Sequence, residues 1–183
     1  MLITRFINEE TAYTELYAHY AYRNFGIRGD SIVAFVGPCE VARDKLIDLD
    51  DRFADARIEA AAMLHFVVEH FGITLRDIVT RQRLLIMLAT EMIKRRSPQS
   101  DIVRKGDDLY VGSGKLSVSI ATVSPVSGLI HLGMNVDGTG APVEVAELTS
   151  IGIKPGMFAP AIMKAYAREL DEINGAMCKV MPV

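Results

Sequence analysis

Two short runs alternate residue types with a period of two, and a chain holding them this close together is committed to a hairpin. Leu116, Val118 and Ile120 interleave with Ser117, Ser119 and Ala121, while Ile130, Leu132, Met134 and Val136 interleave with His131, Gly133 and Asn135. Ser124-Pro125-Val126-Ser127-Gly128 lies between them and supplies turn residues. The expectation is two adjacent antiparallel strands, Lys115 to Val123 and Gly128 to Val136, each with one apolar and one polar face.

Other segments read less uniformly. Leu2 to Ile7 suits a short strand, Ser31 to Val36 a buried strand closed by Gly37-Pro38, and Leu46 to Leu49 a further strand. Thr14 to Phe25, rich in tyrosine, predicts a helix ending at Gly26. Between Arg57 and Phe71 the apolar positions Ala60, Met63, Leu64, Val67, Val68 and Phe71 fall on one helical face, which predicts a helix closed by Gly72. Leu85, Leu88, Ala89, Met92 and Ile93 predict another, with Lys94-Arg95-Arg96 complementing the dipole of its last turn and Ser97-Pro98 ending it. Ala159, Ile162, Met163, Tyr166, Ala167 and Leu170 predict a third. Strands and helices are segregated, so the expected class is α+β, an antiparallel or mixed sheet with helices packed on it. No repeat or linker divides the chain, which reads as a single domain over residues 1–183.

Composition excludes several classes. Half of the 183 residues are hydrophobic, and the formal net charge is −3. A chain this long buries roughly 70% of its unfolded surface, enough for a core without staples. Disorder and a disulfide scaffold are excluded. The acidic balance offers no footprint for nucleic acid or an anionic membrane, so neither is an expected partner. Two cysteines, Cys39 and Cys178, no readable export signal and no membrane-length apolar run lead to the expectation of a cytoplasmic protein.

The block Lys105-Gly106-Asp107-Asp108-Leu109-Tyr110-Val111, then Gly114-Lys115-Leu116-Ser117-Val118-Ser119, then Gly133-Met134-Asn135 carries the chemistry. Strand parity places Lys115 on one face with Ser117 and Ser119, where His131 or Asn135 of the neighbouring strand can join them. An ammonium, hydroxyls and an amide suit carboxylate or phosphate oxygens, with Asp107 or Asp108 able to hold Mg²⁺. The competing reading is a half-solvated sheet with a polar outer face. P-loop, dinucleotide, zinc-protease and nucleophile-elbow motifs are absent.

This order of motifs resembles the central region of biotin protein ligases and of lipoate protein ligases. In those enzymes the lysine contacts the acyl carboxylate and the phosphate of an acyl adenylate. The resemblance implies that role for Lys115, places Asp107 and Asp108 at the ligases' Asn-Asp pair, and sets Asn135 at their nucleotide-side asparagine. It implies ATP and Mg²⁺ as cofactors, and a small carboxylic acid or nucleotide as ligand. Over nearly the whole chain, Gly29-Asp30-Ser31-Ile32-Val33-Ala34-Phe35-Val36-Gly37-Pro38-Cys39-Glu40-Val41, Met63 to Phe71 and Lys115 to Ser127 resemble the domain of unknown function 366 family. That family's fold is similar to biotin ligases and the catalytic domain of class II aminoacyl-tRNA synthetases. Two departures stand out: Val118 occupies a glycine position of the ligases, and Gly37-Pro38-Cys39-Glu40 is no counterpart of their basic, glycine-rich phosphate loop.

Three functions therefore compete: acyl activation or transfer through an adenylate, a binding module for a small anion or nucleotide, and an ATP-independent acyl transferase using Cys39 and Lys115. Cys39 follows a strand at a Gly-Pro turn and reads first as a buried, inert cysteine, with an acyl-accepting thiol as the alternative. His19 and Arg23, one helical turn apart, are candidates for an anion-binding pair. Asp48, Asp50 and Asp51 form an acidic turn that is either solvated or a Mg²⁺ site. His65, Glu69 and His70 do not share one helical face, so no metal centre is expected there. A homodimer is left open.

Overall fold

The computed structural model describes residues 2–182. In chain order its strands are β1 (Ile3–Phe6), β2 (Ser31–Val41), β3 (Ile58–Phe71), β4 (Ile102–Lys105), β5 (Asp108–Val111), β6 (Gly114–Lys115), β7 (Ser117–Val123) and β8 (Ser127–Asp137). The helices are α1 (Tyr20–Phe25), α2 (Leu49–Phe53), α3 (Leu75–Arg96) and α4 (Pro155–Met177). Five strands form a mixed sheet in the order β1-β2-β3-β8-β7, and β4-β5-β6 form a smaller one. Only β1 and β2 run parallel in the larger sheet. The alternating hairpin is found as expected: β7 and β8 pair antiparallel from Ser117↔Met134 to Val123↔Gly128, and Ser124 Oγ accepts from the backbone N–H of Val126 and Ser127 in the turn.

Each face of the larger sheet carries its own apolar layer, because successive side chains of a strand point to opposite sides. Ile32, Leu64, Phe66 and Ile130 pack beneath Leu85, Ile86 and Ile93 of α3 and Phe158, Ile162 and Tyr166 of α4. On the other side Val33, Phe35, Met63 and Val67 meet Tyr13, Tyr20 and Ala21. α3 begins where the Thr74 hydroxyl accepts from the Asp77 N–H, a side-chain cap.

Four sequence expectations are corrected. Arg57 to Phe71 is the central strand β3, flanked by β2 and β8 and buried without a break from Met63 to His70. A strand covered on both faces loses its period-two signal, and its apolar run then imitates a helical stripe. Thr14 to Phe25 is helical only from Tyr20, with His19 in the left-handed region at φ 62° and Gly26 closing the turn. Gly37-Pro38 does not end β2, which continues to Val41 through a register shift between Gly37 and Cys39; a bulge is a place where a sheet tolerates proline. Leu46 to Leu49 is not a strand, since a 3₁₀ turn at Arg43–Lys45 leads through it into α2.

Candidate functional site

Lys115 stands where the two sheets meet. Its N–H donates to the Glu144 carbonyl at 2.9 Å, and its own carbonyl accepts from the Ala146 N–H at 3.0 Å and from Asn135 Nδ2 at 2.9 Å. This close approach needs Gly114, because a Cβ there would lie 2.7 Å from Ala146 N and 2.8 Å from Val145 C. Antiparallel pairing of β5 with β6 sets Tyr110 opposite Lys115, and the Lys115 ammonium bonds Asp108 Oδ2 at 2.8 Å. Both side chains are about three-quarters buried. Burial raises the Asp108 carboxyl despite the ammonium, with Asp107 and Asp51 pushing the same way. Burial opposes the charge on Lys115 too, but its bond to Asp108 outweighs this and the net shift is upward. The pair is thus held in an acid-crowded pocket rather than in open water.

Two cavities share Lys115, Val118, Asp51 and Ile58 as a common wall. The smaller, about 130 Å³, has Tyr13, His131, Asp48, Asp107 and Asp108 among its lining. The larger, about 350 Å³, is bordered by Met63, Asn135 and Val143 with Arg57, Asp55 and Glu59. Much of both walls comes from residues 42–57 between β2 and β3, a segment with five aspartates and four basic residues.

His131 and Asn135 belong to the face that looks away from α3 and α4. His65 Nε2 lies 3.2 Å from the Gly37 carbonyl, which can only accept, so that nitrogen carries the proton and Nδ1 accepts from His131 Nε2 at 3.0 Å. His131 is then left with a lone pair on Nδ1, for which no partner occurs among the described residues. Its ring stacks on Tyr13 with centroids 3.7 Å apart, and burial pushes its pKa far down, with His65 adding to the effect. Asn135 is 2% exposed, and because its Nδ2 donates to Lys115, its unpaired Oδ1 is fixed as an acceptor.

The remaining sequence candidates separate. Ser117 and Ser119 do not share a continuous strand face with Lys115, because the ladder breaks at Leu116 and Lys115 belongs to β6. The Ser117 hydroxyl accepts from the Leu109 N–H; Ser119 receives Gln82 Nε2 and donates to the Asp107 carbonyl, although it still borders the smaller cavity. Asp107 lines that cavity too, with Gln82 at 3.2 Å and Arg83 at 3.3 Å. Cys39 is 1% exposed, lines neither cavity, and has its thiol pushed up to about 12 by burial, so it is not displayed at the sheet edge as an acyl acceptor. His19 and Arg23 do not form an anion pair: the His19 ring stacks on Phe71 and the Arg23 guanidinium lies over Tyr17, outside both cavities. Asp48 and Asp50 sit at the start of α2, whose first N–H groups bond Asp48 Oδ1, and Asp51 faces both cavities. Sequence reading missed Tyr13 and His65 as neighbours of the site; the only available signal was a histidine inside an apolar run.

A nucleoside triphosphate does not fit these walls. Around the smaller cavity four aspartates outnumber the two lysines, and Lys45 is paired with Glu15, which leaves Lys115 as the one cation for a polyanion. Arg57 in the larger cavity is accompanied by Asp55 and Glu59. Among the described residues no three His, Cys, Asp or Glu side chains converge to hold a metal ion. No helix of the described residues is long and apolar enough to cross a membrane.

The chain resembles an uncharacterised protein of Methanocaldococcus jannaschii, with 40% identity over 97% of this chain and 84% of that one. A protein of unknown function from Pyrococcus horikoshi superposes with a TM-score of 0.90 at 35% identity, covering 98% of this chain and 99% of its own. Two further structures share the fold at low identity. A biotin protein ligase of Aquifex aeolicus in complex with biotin gives a TM-score of 0.62 at 11% identity, over 91% of this chain and 70% of the ligase. A putative lipoate protein ligase from T. acidophilum with bound lipoic acid gives 0.54 at 14%, over 92% and 86%. Residues 2–181 match the domain of unknown function DUF366, and the chain belongs to that family, on an α+β fold shared with biotin and lipoate ligases.

Proposed function

We propose that this protein binds a small carboxylic acid at Lys115, with the acid's body in the adjoining cavities and without ATP. The observation that carries this reading is the position of the Lys115 ammonium, at the junction of two cavities and held by one carboxylate whose affinity for its proton is raised. A ligand carboxylate can replace Asp108 at Lys115, and Asp108 can then take up a proton instead of remaining a buried unpaired charge. The similar ligase folds support a carboxylate ligand; biotin and lipoic acid are bound by two of those proteins. The acid-rich walls support binding without a triphosphate.

Calorimetric titration with a panel of short- and medium-chain acids, biotin and lipoate tests this. An ammonium hydrogen-bonded to a carboxylate contributes roughly 1.5–3 kcal/mol, so Lys115→Ala should weaken binding by about ten- to a hundredfold. Lys115→Arg keeps the charge and should lose less. Unchanged affinity in Lys115→Ala overturns the site. ATP–pyrophosphate exchange that requires both an acid and Lys115 overturns the ATP-independent reading in favour of adenylation.

A further inference from the structure

The smaller cavity sets several acceptors among apolar side chains such as Leu16, Val41, Ile58 and Val118. Asp48, Asp51, Asp107 and Asp108 bring carboxylates, and His131 brings an imidazole with a lone pair on Nδ1. Of the two cations there, Lys45 bonds Glu15 at 2.8 Å, and Lys115 is the one that a ligand carboxylate takes over from Asp108. Asp107 is met by Gln82 and Arg83, and Asp48 is occupied by the backbone of α2. Asp51 is the carboxylate common to both cavities, half-buried and raised by burial and by its acidic neighbours. His131 is 4% exposed and lines this cavity, and its Nδ1 lone pair can receive a ligand N–H there.

We propose that the acid bound at Lys115 carries an amino group, whose ammonium is received in the smaller cavity by Asp51 and by Nδ1 of His131. This rests on the carboxylate reading of Lys115 and names the class of acid: an amino-substituted carboxylic acid, matched at one end by Lys115 and at the other by Asp51 and His131. The alternation of charge is what discriminates. A plain acid can use the apolar part of the wall but brings no donor to Asp51 or to Nδ1 of His131, so the amino group is what separates the two. The tautomer chain from the Gly37 carbonyl through His65 fixes His131 as an acceptor, because its Nε2–H is already given to His65. A cavity of about 130 Å³ is close to the roughly 150 Å³ that accommodates benzene, so the chain between the two ends is short.

Protein-observed NMR titration of the full chain with 5-aminopentanoate, pentanoate and pentylamine tests the assignment. The amino acid should bind about tenfold or more tighter than pentanoate, a step of roughly 1.4 kcal/mol. Asp51→Asn, a near-isosteric change at a partly exposed residue of α2, should reduce that preference severalfold. His131→Phe keeps the ring on Tyr13 and should reduce the preference likewise. Lys115→Ala should weaken both carboxylates alike and leave pentylamine unaffected. Equal binding of 5-aminopentanoate and pentanoate, or no binding by either, overturns the amino-acid assignment. Carboxylate binding that ignores Lys115→Ala overturns instead the reading of Lys115 on which it rests.

Discussion

Cys39 and Gly37 lie two positions apart in β2 and do different work. The Cys39 thiol is buried beside Tyr13, with which its backbone pairs, so its replacement belongs to stability. Cys39→Ser should lower the unfolding free energy measured in urea by about 1–3 kcal/mol if the new hydroxyl stays unpaired, while carboxylate affinity changes less than about twofold. Loss of ligand affinity at unchanged stability would refute this. At Gly37 an added Cβ collides with the Thr11 backbone. Gly37→Ala should therefore cost about 1–3 kcal/mol or more in urea unfolding, and disturb the carbonyl that orients His65. Lys115 and Asp108 were readable because they lie seven residues apart in one hairpin. The His65–His131 pair was not, since those residues are 66 apart and meet only as diagonal neighbours once Val67 pairs with His131.

At the scale of elements, β3 explains both the main misreading and much of the internal wiring. Its polar residues are each answered by a particular partner. Glu69 accepts from the Ser127 hydroxyl and the His19 N–H, and His70 lies between Asp30 Oδ2 and the Tyr166 hydroxyl, each at 3.0 Å. Periodicity alone cannot foresee such partners, which come from β8, α4 and the segments just before α1 and β2. The His70–Tyr166 contact fastens α4 to the sheet. Tyr166→Phe should cost about 1–3 kcal/mol in denaturant unfolding, because one nitrogen of His70 then loses its buried partner. A stability change below about 0.5 kcal/mol would show that water or repacking replaces the bond.

Over the whole molecule the three buried histidines make stability depend on pH. Burial lowers the pKa of His65 to about 4, and it also lowers His70 and His131. Between the unfolded value near 6.5 and the folded value the unfolded chain binds more protons, so stability rises with pH. The contribution of His65 is complete above about pH 6.5 and is lost as pH falls toward 4; at 1.36 kcal/mol per pKa unit it amounts to about 3 kcal/mol. Urea midpoints between pH 4 and 7 should show this fall, and His65→Gln should flatten it. A flat wild-type profile would contradict the buried neutral imidazoles.

The sequence by itself determined the features whose causes are local: the β7–β8 hairpin, the α3 stripe with its basic end, and the Asp108–Lys115 spacing. These follow from period, turn chemistry and short-range reach. Tertiary structure alone decided that Ile58–Phe71 is a strand, that Cys39 is sealed, and that His131 and Lys115 line one cavity together with residues from the 42–57 segment. Burial on both faces removes the alternation that identifies a strand, and burial of a polar group is tolerated only beside partners supplied from distant segments. Neither condition is written in any window of neighbouring residues.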